Sequence, residues 1–353
     1  MQNKKIINNV EELLGDTPIF KLNKMFEGYN VYAKLEYFNP SFSIKDRAAF
    51  NMIRKKIETG EIKKGDYIIE ATSGNTGLGL CVASIVYELK FIAVVFDDVS
   101  KEKINLLKGY GASVIICDSN LNSKEKGGYV WVAEQLSKKF NNIHYINQFS
   151  NEDNPDAHYI STGPEIWEQL NGKIDYFINT VGTGGTITGI SKYLKQKNGF
   201  IKTIAVEPVG GIYKDYYYGK KMVFKDHLIH FISDNFISPN FKKEYIDDVI
   251  QIEDIDSFKS CIDLMRTEGL CVGTSSGCTI AAIKKMISEE LIDKNDTVVC
   301  TFADNGIKYC DSLFNLKYLK EHHLNYDFMN QESDCNKNIK KYLSDQNIDF
   351  EVM

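Results

Sequence analysis

Residues 175–197 read DYFINTVGTGGTITGISKYLKQK: an apolar run of strand length, a turn of Gly182, Thr183, Gly184, Gly185 and Thr186, then an amphipathic run of helix length. A strand–turn–helix unit of this kind presents successive backbone N–H groups at a helix N-terminus, where the dipole also favours an anion. Glycine permits the angles and the close approach, while the Thr183 and Thr186 hydroxyls add donors. No Lys-Ser/Thr follows at Walker A spacing, and Ile187 stands where the dinucleotide fingerprint needs its third Gly. A phosphate cradle fits the stretch; a plain tight connection is the bland alternative.

Two more segments repeat the pattern, EATSGNTGLGL (70–80) and VGTSSGCTIAA (272–282). In the first, Thr72, Ser73, Asn75 and Thr76 crowd side-chain donors beside backbone amides, which suits a carboxylate. Asn75 alone would be an ordinary turn residue. Around these turns, strand-length runs at 66–71, 91–96, 113–118, 175–181, 203–209 and 297–303 alternate with helix-length runs at 47–60, 77–89, 101–111, 130–140, 187–197 and 278–291. That alternation predicts an α/β architecture with largely parallel sheets. The 353 residues suggest about two domains. Similar halves divide near residue 150 without a Pro- or Ser-rich linker, so two lobes facing across a cleft are expected, with ligands at the carboxyl ends of strands. Residues 311–353 hold none of the 25 Gly or six Pro and read as two short helices, FNLKYLKEHH and NKNIKKYLSD, suited to packing or to capping a dimer.

Composition narrows the partners. The formal charge is −6, and Arg47, Arg54 and Arg266 are the only Arg, against 39 Lys. An anion site here must rely on amides and hydroxyls rather than Arg forks, and the acidic balance argues against nucleic acid. The start, MQNKKIINNVEELLG, has no apolar core or small-residue cleavage site, so no signal peptide is expected. No apolar run approaches the ~18 residues of a membrane span. The eight Cys never form a CxxC pair, which leaves zinc and thioredoxin-like readings without support and predicts buried, reduced thiols in a cytoplasmic chain with no metal site.

One further cluster is VYAKLEYFNPSFSIKDRAAF (31–50), where Asn39-Pro40-Ser41 makes a turn and a helix begins near Lys45. A cation is disfavoured in the first turn of a helix, so Lys45 is a candidate for a lowered pKa and for an amine nucleophile; the bland alternative is one more solvated Lys among 39.

Taken in order, GDTPIFKLN, NPSFSIKDR, ATSGNTG, QFSNEDNPDAHY, TGPEIW, GTGGT, EGLCVGTSSG and ADNGIKY resemble the pyridoxal-phosphate enzymes of fold type II, the tryptophan synthase β-like group. The resemblance runs over about residues 8–310 and is closest to cysteine synthase (O-acetylserine sulfhydrylase), with cystathionine β-synthase a near cousin. It implies two open, mostly parallel sheets flanked by helices, with the active site in the cleft between lobes. Residues 1–40 would join the larger lobe, 41–150 form a smaller mobile lobe, 151–310 the larger phosphate-binding lobe, and 311–353 a helical tail. The cofactor implied is pyridoxal 5'-phosphate, held by Lys45 as a Schiff base, with Gly182, Thr183, Gly184, Gly185 and Thr186 as its phosphate loop. Asn75 matches the residue that meets the ring hydroxyl, and Ser275 the serine facing the pyridine nitrogen. Thr72, Ser73, Asn75 and Thr76, with Gln148, match the group that captures the substrate α-carboxylate. The activity implied is β-replacement on a serine or cysteine derivative through an aminoacrylate intermediate, by a homodimer acting on small amino-acid substrates.

Departures from the pattern leave the second substrate open. Where cysteine synthases carry small residues resembling GIGAGFIP, this chain has Phe231-Ile232-Ser233-Asp234-Asn235-Phe236-Ile237-Ser238. Asp234 is either a catalytic carboxylate that steers a second substrate or a solvated loop acid. The preceding GGIYKDYYYGKK either lines that pocket or lies on the surface. The expected reaction is O-acetylserine and sulfide to cysteine. Its alternatives are a cysteine lyase or cystathionine β-synthase-like enzyme that releases hydrogen sulfide, and a serine/threonine dehydratase. A 2,3-diaminopropionate synthase-like reading ranks lower, because O-phosphoserine would call for more Arg. A non-catalytic phosphate-ligand-binding protein would have no need of Lys45.

Overall fold

The computed structural model describes residues 6–72, 74–229, 232–324 and 342–345. Packing divides the chain into two compact units, Met1–Lys308 and Tyr309–Met353.

The first unit contains two sheets. The four-stranded sheet has the order β5-β4-β3-β6, all parallel, from β3 (Tyr67–Ala71), β4 (Lys90–Phe96), β5 (Ser113–Cys117) and β6 (Ile143–Tyr145). The six-stranded sheet has the order β1-β2-β10-β7-β8-β9. Its members are β1 (Ile19–Lys21), β2 (Asn30–Leu35), β7 (Tyr176–Thr180), β8 (Lys202–Pro208), β9 (Asp248–Ile252) and β10 (Thr297–Phe302). Only β1 runs antiparallel to its neighbour. The six expected strands are all present, and β1, β2, β6 and β9 are additional.

The continuous apolar run in β4 follows from burial on both faces. Phe91, Ala93 and Val95 pack with Phe50, Ile53 and Val82 of helices α1 (Lys45–Glu58) and α2 (Asn75–Val86). Ile104 and Leu107 of α3 (Lys101–Gly109) join that face, while Ile92 and Val94 face the other way, into a core with Val130 and Ala133 of α4 (Tyr129–Lys139). Past α5 (Asp153–Ala157) and α6 (Gly163–Gln169), the larger sheet buries Phe177, Ala205 and Val299 against Ile187, Ile190 and Leu194 of α7 (Gly185–Lys197). Helices α8 (Tyr213–Tyr217), α9 (Asp254–Glu268) and α10 (Thr274–Ser288) complete the unit.

Strand order fixes where a site can form. In the smaller sheet the chain passes outward from β3 to β5 and then returns to β6 on the other side of β3. In the larger, it passes outward from β7 to β9 and returns to β10 on the other side of β7. Each return creates a switch point, where the loops after adjacent strands diverge and leave a crevice. Those loops carry residues 72–76 and 146–148 in one sheet, and residues 182–186 and 303–304 in the other.

In the second unit α11 (Leu316–Glu321) begins at Asn315, whose side chain accepts from the Lys317 and Tyr318 amides. It corresponds to the first helix expected in the tail. Of the second, only residues 342–345 are described, and they are helical.

Candidate active site

Lys45 is the first residue of α1, and no side chain caps that helix end. The turn before it is tied to the end of β10: Ile44 N donates to Ala303 O at 2.8 Å, and Ser43 bridges Asp304. Burial lowers the Lys45 pKa and the Asp304 carboxylate opposes that shift. The direction matches the sequence expectation, but desolvation is the cause, not the helix dipole.

Asn75 opens α2 and donates from Nδ2 to Asp304 Oδ2 at 2.7 Å. Next to it, Thr76 Oγ1 donates to Gln148 Oε1 at 2.6 Å, with both residues buried. Thr72, also buried, closes β3 by donating its amide to Val94 O. Ser73, named with them from the sequence, lies outside the described residues.

The turn 182–186 is held open from behind. Gly184 has φ +80°, and a Cβ there would stand 2.6 Å from Phe241 N; one on Gly185 would run into Asn154 Oδ1. Asn154 Nδ2 donates to Thr183 Oγ1 at 3.0 Å and to Gln148 O at 2.8 Å, so one amide joins this turn to the Gln148 loop. Ser238 Oγ donates to Thr183 O, and Tyr213 OH to Gly182 O. Tyr213 of the Tyr-rich segment is therefore neither surface nor pocket lining but a buried prop. Thr186 Oγ1 lies 3.2 Å from His158 Nε2, and burial keeps that imidazole neutral, its pKa well below the ordinary value. Among the described residues, no protein group accepts from the amides of Gly182, Thr183, Gly184, Gly185 or Thr186. Backbone donors left free in this way form an anion nest.

Ser275, in the first turn of α10, is buried beside the same strand end: Gly273 N donates to Asp304 O and Ala303 N to Ser276 Oγ. Asp234 follows Ser233, whose amide donates to Val181 O at 2.8 Å, one residue before the nest. Burial raises the Asp234 pKa and His227 draws it back. Lys45, Asn75, Ser275 and Asp304 thus gather at the end of β10, while Gln148 and Asn154 join Thr76 to Thr183, and His158 meets Thr186 on one side and Thr162 on the other. Asp304, Lys308, Asn154 and His158 were missed from the sequence, although each lies inside a stretch quoted for the resemblance.

A buried amine and an anion nest are what a phosphorylated aldehyde would need, and the residues present fit that group. The model of the family described as pyridoxal-phosphate dependent enzyme matches residues 10–304, and the chain belongs to that family; its cofactor is pyridoxal phosphate. It is 36% identical over 306 residues to an O-acetylserine dependent cystathionine beta-synthase of Bacillus subtilis (strain 168), covering 86% of this chain and 96% of the relative. A probable cysteine synthase of the same organism is 38% identical over 311 residues, with the same coverage. Among solved structures, O-ureido-L-serine synthase superimposes with a TM-score of 0.83 at 28% identity, covering 96% of this chain and 100% of that one.

Among the described residues no helix is long and apolar enough to cross a membrane, and no group of three or more His, Cys, Asp or Glu could hold a metal ion. Cys81, Cys117, Cys261, Cys278 and Cys300 are buried free thiols; Cys271 is half-buried, Cys310 is exposed, and Cys335 lies outside the described residues.

Proposed function

We propose that the protein catalyses β-replacement on an activated serine, converting O-acetylserine and sulfide to cysteine and acetate. The observation that carries this reading is the Asn154 amide, which joins the anion nest at Thr183 to the Gln148 loop, whose side chain in turn accepts from Thr76 of the hydroxyl-rich 72–76 loop. In this reading Gly182 to Thr186 would hold the cofactor phosphate, Asn75 would meet the ring hydroxyl, and Ser275 would serve the ring nitrogen as a neutral partner. When bound, pyridoxal phosphate serves as an electron sink for the pair left at Cα. Thr72, Ser73, Asn75, Thr76 and Gln148 hold the substrate α-carboxylate. Lys45, as a free amine, takes the Cα proton as general base and later returns it. Acetate leaves Cβ, sulfide adds there, and the smaller lobe, residues 41–150, closes to keep water out. The enzyme is read as a cytoplasmic homodimer acting on small amino acids.

Asp234 favours a second reading. A partly desolvated carboxylate one residue from the Val181 contact suits an acceptor that carries an amine or hydroxyl, as in a cystathionine β-synthase-like reaction. Stopped-flow spectra with O-acetylserine, O-phosphoserine, serine and cysteine identify the donor, and product analysis with sulfide or homocysteine identifies the acceptor. The wild type is expected to absorb at ~410–430 nm, and Lys45→Ala to lose that band. A colourless wild type that takes up no pyridoxal phosphate would sink the assignment. If Asp234→Asn leaves the acceptor preference unchanged, sulfide stands as the substrate and the second reading falls.

A further inference from the structure

Two side chains of the ADNGIKY stretch, Asp304 and Lys308, stand within the site without a part in the chemistry above. Lys308 Nζ donates to Asn75 Oδ1 at 2.6 Å and to Ser41 O at 2.8 Å. Asn75 Nδ2 in turn donates to Asp304 Oδ2. An ammonium can only donate and a carboxylate can only accept, so the two charged groups settle which end of the Asn75 amide points where. Its oxygen faces Lys308, its nitrogen faces Asp304, and one of the two Nδ2 hydrogens is left for a ligand. Reversing the amide would set its nitrogen against an ammonium and its oxygen against a carboxylate, two buried mismatches.

Lys308 also reaches the turn that delivers Lys45. Ser41, whose carbonyl it holds, donates its own amide and hydroxyl to Asp46, the residue after Lys45. Burial pushes the Lys308 pKa down, with Asp304 and Asp46 pulling it back up. A cation in such a place is retained only where its donors are used.

We propose that Lys308 is a positioning residue for the cofactor ring: it fixes the Asn75 amide with a hydrogen aimed at the ring hydroxyl and steadies the 41–46 turn beneath Lys45. The proposal rests on the roles given above to Asn75 and Lys45. It is tested by measuring the pyridoxal phosphate Kd by equilibrium dialysis, together with the holoprotein absorbance. The proteins compared are wild type, Lys308→Met, Lys308→Arg, Asn75→Ala and the Asn75→Ala/Lys308→Met double variant, with thermal melting as a check on folding.

Lys308→Met is expected to weaken cofactor binding by roughly tenfold to a hundredfold, the worth of a buried hydrogen bond to a charged group, and to shift the ~410–430 nm band of the bound cofactor. Lys308→Arg, which keeps a cationic donor, is expected to restore both. In the Asn75→Ala background, Lys308→Met is expected to change Kd by less than about threefold, because residues acting through one another are not additive. The proposal is overturned if Lys308→Met binds and absorbs like wild type, or if its effect is as large without Asn75. Should the Met variant fail to fold, Lys308→Gln is judged by the same two criteria, with a loss of at least about fivefold expected from its neutral donor. Failure of the wild type itself to take up pyridoxal phosphate is a different result, which removes the roles of Asn75 and Lys45 and this proposal with them.

Discussion

At the end of β3, two residues before Thr72, Glu70 carries a fully buried carboxyl. Burial raises its pKa to about 8, so the folded protein keeps this group protonated at neutral pH. An acid whose pKa is higher folded than unfolded binds more protons in the native state, and stability falls as pH rises between the two values. The unfolded value is ~4.3. Glu70→Gln removes the titration, so its melting temperature is expected to gain on wild type from about pH 4.3 up to about 8, then hold a constant lead. Parallel melting curves across that range would show that Glu70 is ionised in the fold. Lys45 obeys the same rule with the opposite charge: burial favours its neutral amine, the form that attacks an aldehyde.

The helix that starts at Lys45 is fastened two residues later. Arg47 donates from Nε and Nη2 to Glu36 and from both Nη atoms to Glu165 of α6, while Lys34 of β2 pairs with Glu165 at 2.6 Å. Burial works against the Glu36 charge, yet Arg47 outweighs it and leaves the carboxyl below its usual pKa. Removing one member of a buried ion pair strands the other, so Arg47→Met is expected to destabilise the fold by about 3–5 kcal/mol in denaturant unfolding. Arg47→Met/Glu36→Leu should recover part of the loss; an unchanged midpoint in the single variant would mean that the network adds little.

The same elements explain what the sequence disclosed. The run in β4 was legible because both its faces are buried. The turn at 182–186 was legible because its chemistry lies in consecutive backbone groups. Strand β2 escaped notice because Lys34 interrupts its apolar run, and that lysine is buried against Thr17, Glu165 and Gln169, the last two far along the chain. Strand β6 is too short to show a period. Helix α9 went unread although Gly269, at φ +75°, closes it in the usual way. Asn154 acquires its partner Thr183 from 29 positions away, and Asp304 its partner Asn75 from 229. Side chains that act through distant contacts leave no local pattern to read.

At the scale of the first unit, the cofactor is a structural ligand as well as a reagent. Its phosphate would fill a nest drawn from the larger sheet, while its link to Lys45 would draw in α1. Binding to the native state alone stabilises it by RT ln(1 + [L]/Kd), or about 2.7 kcal/mol at a hundredfold excess over Kd. Stripping the cofactor is therefore expected to lower the melting temperature by several degrees, and restoring pyridoxal phosphate to reverse the loss in a concentration-dependent manner. A melting temperature indifferent to added cofactor would contradict the site described.

The two sheets differ in how firmly they present their loops. Strand β7, which carries the nest, is paired along both edges, by β10 and β8. Strand β6, which carries Gln148, is the border of its sheet and is paired to β3 at only Ile143, His144 and Tyr145. If the roles proposed above hold, the cofactor would sit on the strand hemmed on both edges, and the amino acid, which must leave at every turnover, would sit beside the loosely hemmed border strand.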